Sequence, residues 1–438
     1  MHTPLKCGCA QIDVTPPVGV ELSGYLARIQ PSVGVYDRLY VRSIVLELDA
    51  QRAVLTGCDI LGFPDELARD LRAEISQLAK TKAEHVMLWG THTHSGPAVA
   101  HLNNCGKPDP AYVDFLRSKV IESAREALQR QRPCSAAWAQ SAYDIAINRR
   151  VQWGSAKEAP PPPTDLSLLS FRDAESDDIL AILMHYACHC VVLGSENRVI
   201  SADLAGAVSN ALSHLLPGRP LVLYANGACG DLNPKMRSSD FKILSDAGAQ
   251  MARTAAEALA KSVPLTLDRI SGKMSYVALP TYDMTNDELE RIAKQCRHDQ
   301  AIAAAEGDVF KARMFEAHAM WAEGLLSKAK SGNYPTTINL IIHRLDIGPV
   351  CLLGLNVEPL SHYAYLLKAA SGPRSLLVGY CDGLFGYLPS PQAMAEGGYE
   401  VNDAHKYYGQ PPLHSDAPKI AEESIRRIIV EELPDAVA

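Results

Sequence analysis

Short apolar runs alternating with amphipathic segments decide the class of this chain. VRSIVLELD (41–49) and AVLTGCDIL (53–61) read as paired strands. Pro64 and Asp65 then open a segment with apolar residues at Leu67, Leu71, Ile75 and Leu78, the spacing of one helix face. HVMLW (85–89) is a short buried strand that stops at Gly90. The same logic predicts a helix over 111–130, a strand over 178–188, a turn at Gly194–Asn197, a helix from about Ala202 to Leu216 and a strand over 221–226. Strands that alternate with helices in this way predict an α/β fold, with a mixed β-sheet core flanked by helices.

Residues 283–330 break the pattern. They are charged, Ala-rich and helix-patterned with no strand signal, which predicts a helical hairpin inserted into the main body. LIIHRLDIG and VCLLGLNV (340–357) return to strands, and a last amphipathic helix is predicted over about 415–431. APPPPT (159–164) reads as a stiff surface connection rather than a boundary. The expectation is one catalytic domain over 1–438, with the helical insertion inside it.

With 438 residues, 47% of them hydrophobic, the chain has ample material for a large core. A net charge of −8 gives a polyanion nothing to bind, so nucleic acid is not expected as a partner. The eleven cysteines are scattered, several inside apolar runs, unlike a secreted disulfide scaffold. The N-terminus lacks the apolar stretch of a signal peptide, and no window approaches the ~18 apolar residues of a membrane span. These features predict a cytoplasmic protein with reduced thiols. A homo-oligomer is left open.

Chemistry concentrates where the apolar runs end. WGTHTHSGP (89–97) carries a buried strand straight into His92 and His94, which would face one side if the segment stays extended. Strand ends are where α/β proteins place their sites. MHYACHC (184–190) allows two readings: a cluster of Cys188, His189 and Cys190, or His189 alone with the cysteines in the core. Strand alternation and the tight spacing favour His189 alone, with His185 structural. NGACGDLNP (226–234) is a turn in which Gly227 and Gly230 permit close backbone approach. Glu358 ends another buried strand, where a carboxylate needs a cation or the N-terminus of a following helix. Two histidines and a carboxylate form a catalytic zinc set, in which the metal lowers the pKa of its water to ~7. Residue chemistry alone reaches a zinc hydrolase and no further.

Several segments, in order, resemble the catalytic domain of the neutral, non-lysosomal ceramidases. They are IDVTPPVGVELSGY (12–25), DRLYVRSIVLE (37–47), THTHSGP and INRR (147–150), then His189 with Asp203 and Gly206. NGACGDLNP, Glu358 and GYLPSPQAMAEGGYE (386–400) complete the set. The resemblance implies zinc ligands His92, His189, Glu358 and Tyr387. It also implies that His94, Arg149 and Tyr399 line the reaction centre, with Arg149 fitting the pattern better than Arg150. It further implies cleavage of an amide (N-acyl) bond. Asp203 and Asp231 are candidates to orient ligands.

Two departures shape the expected mechanism. Asn233 stands where the family has a serine, and an amide cannot form an acyl-enzyme. Zinc-activated water is therefore the expected nucleophile, with Asn233 donating a hydrogen bond to substrate, Tyr399 and Arg149 stabilising the oxyanion and His94 moving the proton. The chain also ends in a helix near Val430, without the immunoglobulin-like β-domain that follows in the family. A small or amphiphilic N-acyl substrate is thus expected, with an esterase or lactonase, or a true ceramidase, as alternatives.

Overall fold

The computed structural model describes residues 4–49 and 51–431 of the chain. Residues 1–3, 50 and 432–438, the outer ends of the expected single domain, lie outside them. Helices begin and end where local chemistry directs. The helix Asp65–Ala79 carries Asp65 and Glu66 in its first turn, against the dipole, and stops at Lys80 in the left-handed conformation. The helix Pro110–Gln129 starts with Pro110, capped by Asp109, whose side chain accepts from the Ala111 amide.

The core is built from two sheets rather than one. The larger has nine strands, with spatial order Leu221–Asn226, Ile179–Tyr186, Asp165–Asp173, Arg132–Ala142, Lys6–Asp13, Tyr40–Leu48, Gln51–Cys58 and Val86–Gly90. Val263–Leu265 adds to the strand Arg132–Ala142. Pairing is mostly antiparallel, but the strands at both ends of the order pair in parallel. The second sheet has four strands, Ile270–Pro280, Thr337–Ile347, Val350–Leu355 and Ser375–Val378.

Alternation along each strand divides the core. In Tyr40–Leu48, Ile44 and Leu46 enter an apolar cluster with Leu345 and Leu352 of the second sheet, so the two sheets pack face to face. Val41 and Val45 point the other way, towards Leu71 and Ile75 of one helix and Leu116 and Val120 of another. On its outer face the small sheet packs Ile342, Leu353 and Leu355 against Tyr363, Ile425 and Ile428. The layers therefore run helix, sheet, sheet, helix. Within the described residues, no helix is long and apolar enough to cross a membrane.

Residues 283–330 fold as two helices, Asn286–Ala305 and Val309–Lys330. Thr285 and Glu288 form a reciprocal cap on the first, and Asp308 caps the second. The pair has a small apolar cluster of its own, including Leu289, Trp321 and Leu325. It is fastened to the body by Trp321 Nε1 donating to the Gln410 carbonyl at 2.7 Å and by Arg313 donating to the carbonyls of Leu26 and Asn104 at 3.1 and 2.7 Å.

Two local expectations are corrected. The strand predicted over 178–188 ends at Tyr186, because the chain turns away as the Cys188 amide bonds to Asn226 Oδ1. Alternation beyond Tyr186 therefore says nothing about where His189 points. His92 is not extended either: its φ is +64°, and the strand before it ends at Gly90.

Candidate metal and active site

Three strand ends meet at one place. The large sheet curls until its terminal strands touch, with Trp89 Nε1 donating to the Tyr224 carbonyl at 2.8 Å. The small sheet joins them, since the Gly379 amide bonds to the Asn226 carbonyl at 3.0 Å and the Gly90 amide to the Tyr380 carbonyl at 3.2 Å. His92 follows one strand end and His189 another. Glu358 lies just past Leu355, in a two-residue parallel bridge that pairs it with Tyr387.

Each histidine is held in the same way. Nδ1 faces a backbone carbonyl in all three: Leu61 at 2.9 Å for His92, Gly24 at 3.2 Å for His94 and Cys229 at 2.6 Å for His189. A carbonyl only accepts, so the proton sits on Nδ1 and Nε2 carries a lone pair. Those lone pairs converge. His92 Nε2 is 3.2 Å from His94 Nε2, and Glu358 Oε2 is 3.2 Å from Nε2 of both His92 and His189. Ligand atoms of His92, His94 and His189 lie within 4.8 Å of one another. His189 Nε2 and Glu358 Oε2 are buried without a hydrogen-bond partner among the described residues. Buried acceptors crowded face to face repel unless a cation sits between them, and imidazole with carboxylate is a donor set suited to zinc. These residues therefore fit a metal ion.

The left-handed backbone of His92, costing about 1 kcal/mol, turns its ring inward and stacks it on Tyr380 at 3.8 Å between centroids. Gly24 has a φ of +93°, and a Cβ there would lie 2.3 Å from His94 Nδ1, so only glycine lets this carbonyl reach the ring. A Cβ on Gly230 would lie 2.9 Å from the Glu358 carbonyl. Cys188 and Cys190 are fully buried and are not in the metal-competent group, and His185 Nε2 donates to the Leu377 carbonyl at 2.8 Å.

The remaining candidates surround the same cavity, of about 340 Å³, which is lined by His92, His94, His189, Arg149, Asn233, Glu358, Tyr387 and Tyr399. Arg149 is held at two points: its Nε donates to Glu400 Oε1 at 2.9 Å and its Nη2 to the Tyr387 hydroxyl at 3.1 Å. Arg150 instead clamps Glu400 Oε2 at 2.7 Å, Glu396 and the Gly397 carbonyl, a purely structural set. Burial pushes the Tyr387 phenol up, against the pull of Arg149. Burial lowers His94 well below its usual range and His189 to about 4, so both rings are neutral at pH 7.

Asp203 and Asp231 touch no candidate ligand. Asp203 accepts from the amides of Val192, Leu193 and Leu204, fixing the loop after His189. Asp231 accepts from Asn148 Nδ2, the Ser361 amide and the Ser361 hydroxyl at 2.7–2.8 Å, tying the loop before Arg149 to the loop after Glu358. Residue reasoning missed Tyr408, whose hydroxyl donates to Glu358 Oε1, as well as Tyr380. Tyr380 lies in a Gly-rich loop and Tyr408 at the end of a short helix, and the sequence offers no spacing that singles them out.

Residues 5–239 match the sequence pattern of the N-terminal part of the neutral/alkaline non-lysosomal ceramidases. The chain belongs to that family. A neutral ceramidase of Pseudomonas aeruginosa is 24% identical over 258 residues, 53% of this chain and 37% of that protein. One from Drosophila pseudoobscura pseudoobscura is 23% identical over 263 residues, 53% of this chain and 36% of that protein. The matches thus span little more than a third of these relatives. In three dimensions the similarity is wider. The crystal structure of the P. aeruginosa neutral ceramidase superposes with a TM-score of 0.75 at 17% identity, over 99% of this chain and 76% of that one. A ceramidase complexed with C2 gives 0.74 over 98% and 74%. At such identity the likeness establishes the mixed α/β fold of the family.

Proposed function

We propose that this chain is a zinc-dependent hydrolase of an N-acyl (amide) bond. The observation that carries it is the convergence of Nε2 lone pairs at an open cavity. Those of His92 and His189 lie 3.2 Å from Glu358 Oε2, which has no hydrogen-bond partner among the described residues, and that of His94 lies 3.2 Å from His92 Nε2. His92, His189, Glu358 and Tyr387 would hold the ion, in line with the family. When bound there, zinc supplies Lewis acidity and a water of lowered pKa.

The protein's own groups supply the rest. Arg149, immobilised by Glu400 and Tyr387, presents a fixed positive charge to a carbonyl oxygen that gains negative charge in the transition state. Tyr399 stands beside it, with Arg149 Cζ 5.6 Å from its ring. His94, half-buried and neutral, is placed to carry a proton from the attacking water to the leaving nitrogen. Asn233 sits on the wall, where its amide can hydrogen-bond substrate and cannot act as a nucleophile. The relatives' name, neutral ceramidase, supports an amide over an ester and keeps ceramide in the substrate panel.

The test is metal content and hydrolysis of N-acyl compounds, from short acyl amides to long-chain ceramide, for wild type, His92→Ala and Glu358→Gln. About one zinc per chain in wild type, lost together with activity in both variants, supports the assignment. Stoichiometric zinc retained by both variants overturns it.

A further inference from the structure

We propose that Arg237 is a specificity-determining residue that binds an anionic group of the substrate, so that the preferred amide carries a carboxylate or similar charge away from the scissile bond. The inference rests on the amidohydrolase reading above and deepens it.

Arg237 lines the cavity at an exposed position, reached from the metal-competent cluster through one aromatic ring. Tyr25 sits 4.9 Å from the His94 ring, centroid to centroid, and Arg237 Cζ lies 5.4 Å from the centre of Tyr25. The cation is thus held on an aromatic platform beside the reaction centre. Among the described residues it forms no ion pair and no hydrogen bond, unlike Arg149, which is paired with Glu400. Among the described residues, Glu358 is the only carboxylate on the cavity lining, and it faces the imidazoles of His92 and His189. Lys235 and Asp240, near Arg237 in sequence, are themselves engaged, with Asp144 and with the Lys242 amide. Glu196, beside the lining residue Ser195, is exposed and makes no ion pair with Arg237.

Arg237 is exposed, so water solvates the guanidinium when the cavity is empty, and its donors remain open to a substrate group that enters. An anion on the substrate gains a charge-assisted, bidentate contact at that position. Gly194 leaves room for this placement, since a Cβ there would lie 3.0 Å from Arg237 Nε. The aromatic faces of Trp153 and Phe310, each 52% exposed, leave an apolar path for the acyl part.

The experiment compares N-octanoylglycine with its uncharged amide, N-octanoylglycinamide, on wild type, Arg237→Gln and Arg237→Lys. In wild type, kcat/KM is expected to favour the anion. In Arg237→Gln that preference falls about 10- to 100-fold, through KM, with partial rescue in Arg237→Lys. Calorimetric binding of both compounds to the metal-free protein gives a second readout independent of turnover. Equal handling of both compounds by wild type, or an equal loss on both in Arg237→Gln, overturns the proposal while leaving amide hydrolysis intact. If wild type cleaves neither compound, amide hydrolysis is what fails, and calorimetry still decides the role of Arg237: tighter binding of the anion, weakened by Arg237→Gln, supports it, and equal binding overturns it.

Discussion

His92 and His94 bring their Nε2 atoms to 3.2 Å of each other while each ring anchors Nδ1 on a backbone carbonyl. Two lone pairs at that distance form no hydrogen bond. The arrangement is stable only with a positive charge between the rings or a proton on one of them, and burial holds the His94 proton off. A metal ion resolves the conflict, which makes metal removal the most direct perturbation of the molecule. Dialysis against a chelator is expected to lower the thermal midpoint and zinc to restore it. At a hundredfold excess over Kd the stabilisation would be about 2.7 kcal/mol. A midpoint indifferent to chelator and zinc in differential scanning calorimetry would contradict this.

Tyr408→Phe removes the hydroxyl that donates to Glu358 Oε1 and little else. Groups that orient a ligand typically contribute 10- to 100-fold to metal affinity, so this variant should bind zinc about tenfold more weakly with its fold unchanged. Competition with a chromophoric chelator measures the affinity, and circular dichroism checks the fold.

Asn233→Ala measures how much the wall amide contributes to substrate binding and turnover. If Asn233 only hydrogen-bonds substrate, kcat/KM should fall by about tenfold or less, since a single neutral hydrogen bond is worth about 1 kcal/mol. A loss of several thousandfold in steady-state assays would assign it a role at the reacting atoms.

How much of this was legible from the residues depended on what kind of contact was involved. His92, His189 and Glu358 stood out because each follows an apolar run, and apolar runs mark strand ends. Tyr387 emerged only through resemblance to the ceramidases. The carbonyls of Leu61, Gly24 and Cys229, which set the tautomers, belong to the backbone and leave no signature in side-chain identity. The left-handed φ of His92 was equally hidden, and the two histidines share a cavity through that turn rather than through strand alternation. Strands such as Arg132–Ala142 and Ile270–Pro280 went unread because Ala, Ser, Gln and Lys interrupt their apolar pattern. The second sheet as a separate layer followed from none of the local patterns, since packing between sheets is a long-range event.

Asp231→Ala should weaken the fold as well as the chemistry. It strips acceptors from Asn148 Nδ2 and from the Ser361 amide and hydroxyl, all buried. Unsatisfied buried donors predict a loss of about 3 kcal/mol in urea unfolding, with part of it recovered in Asp231→Asn. An unchanged midpoint would show that Asp231 does not tie these loops together.

Acid should loosen the seat of the helical hairpin. Burial lowers both His318 and His405 to about 4, with Lys406 lowering and Asp403 raising each. The unfolded chain, with imidazoles near ~6.5, then binds more protons than the folded one between those values. Stability is full above pH ~6.5 and is lost as pH falls towards 4. The urea midpoint of His318→Gln should fall less steeply over that window than that of wild type, and parallel curves would exclude the role.

The hairpin also meets the cavity in a particular way. It keeps its own apolar cluster, is fastened by a few hydrogen bonds and by Ala317 and Met314 packing on the main core, and reaches the pocket lining through Phe310. The floor of the cavity and its doorway therefore belong to separable pieces of chain. Substitutions along the hairpin can widen, narrow or recharge the entrance while the histidines stay where the strand ends put them. In such a molecule the range of acceptable substrates can change without the reaction changing.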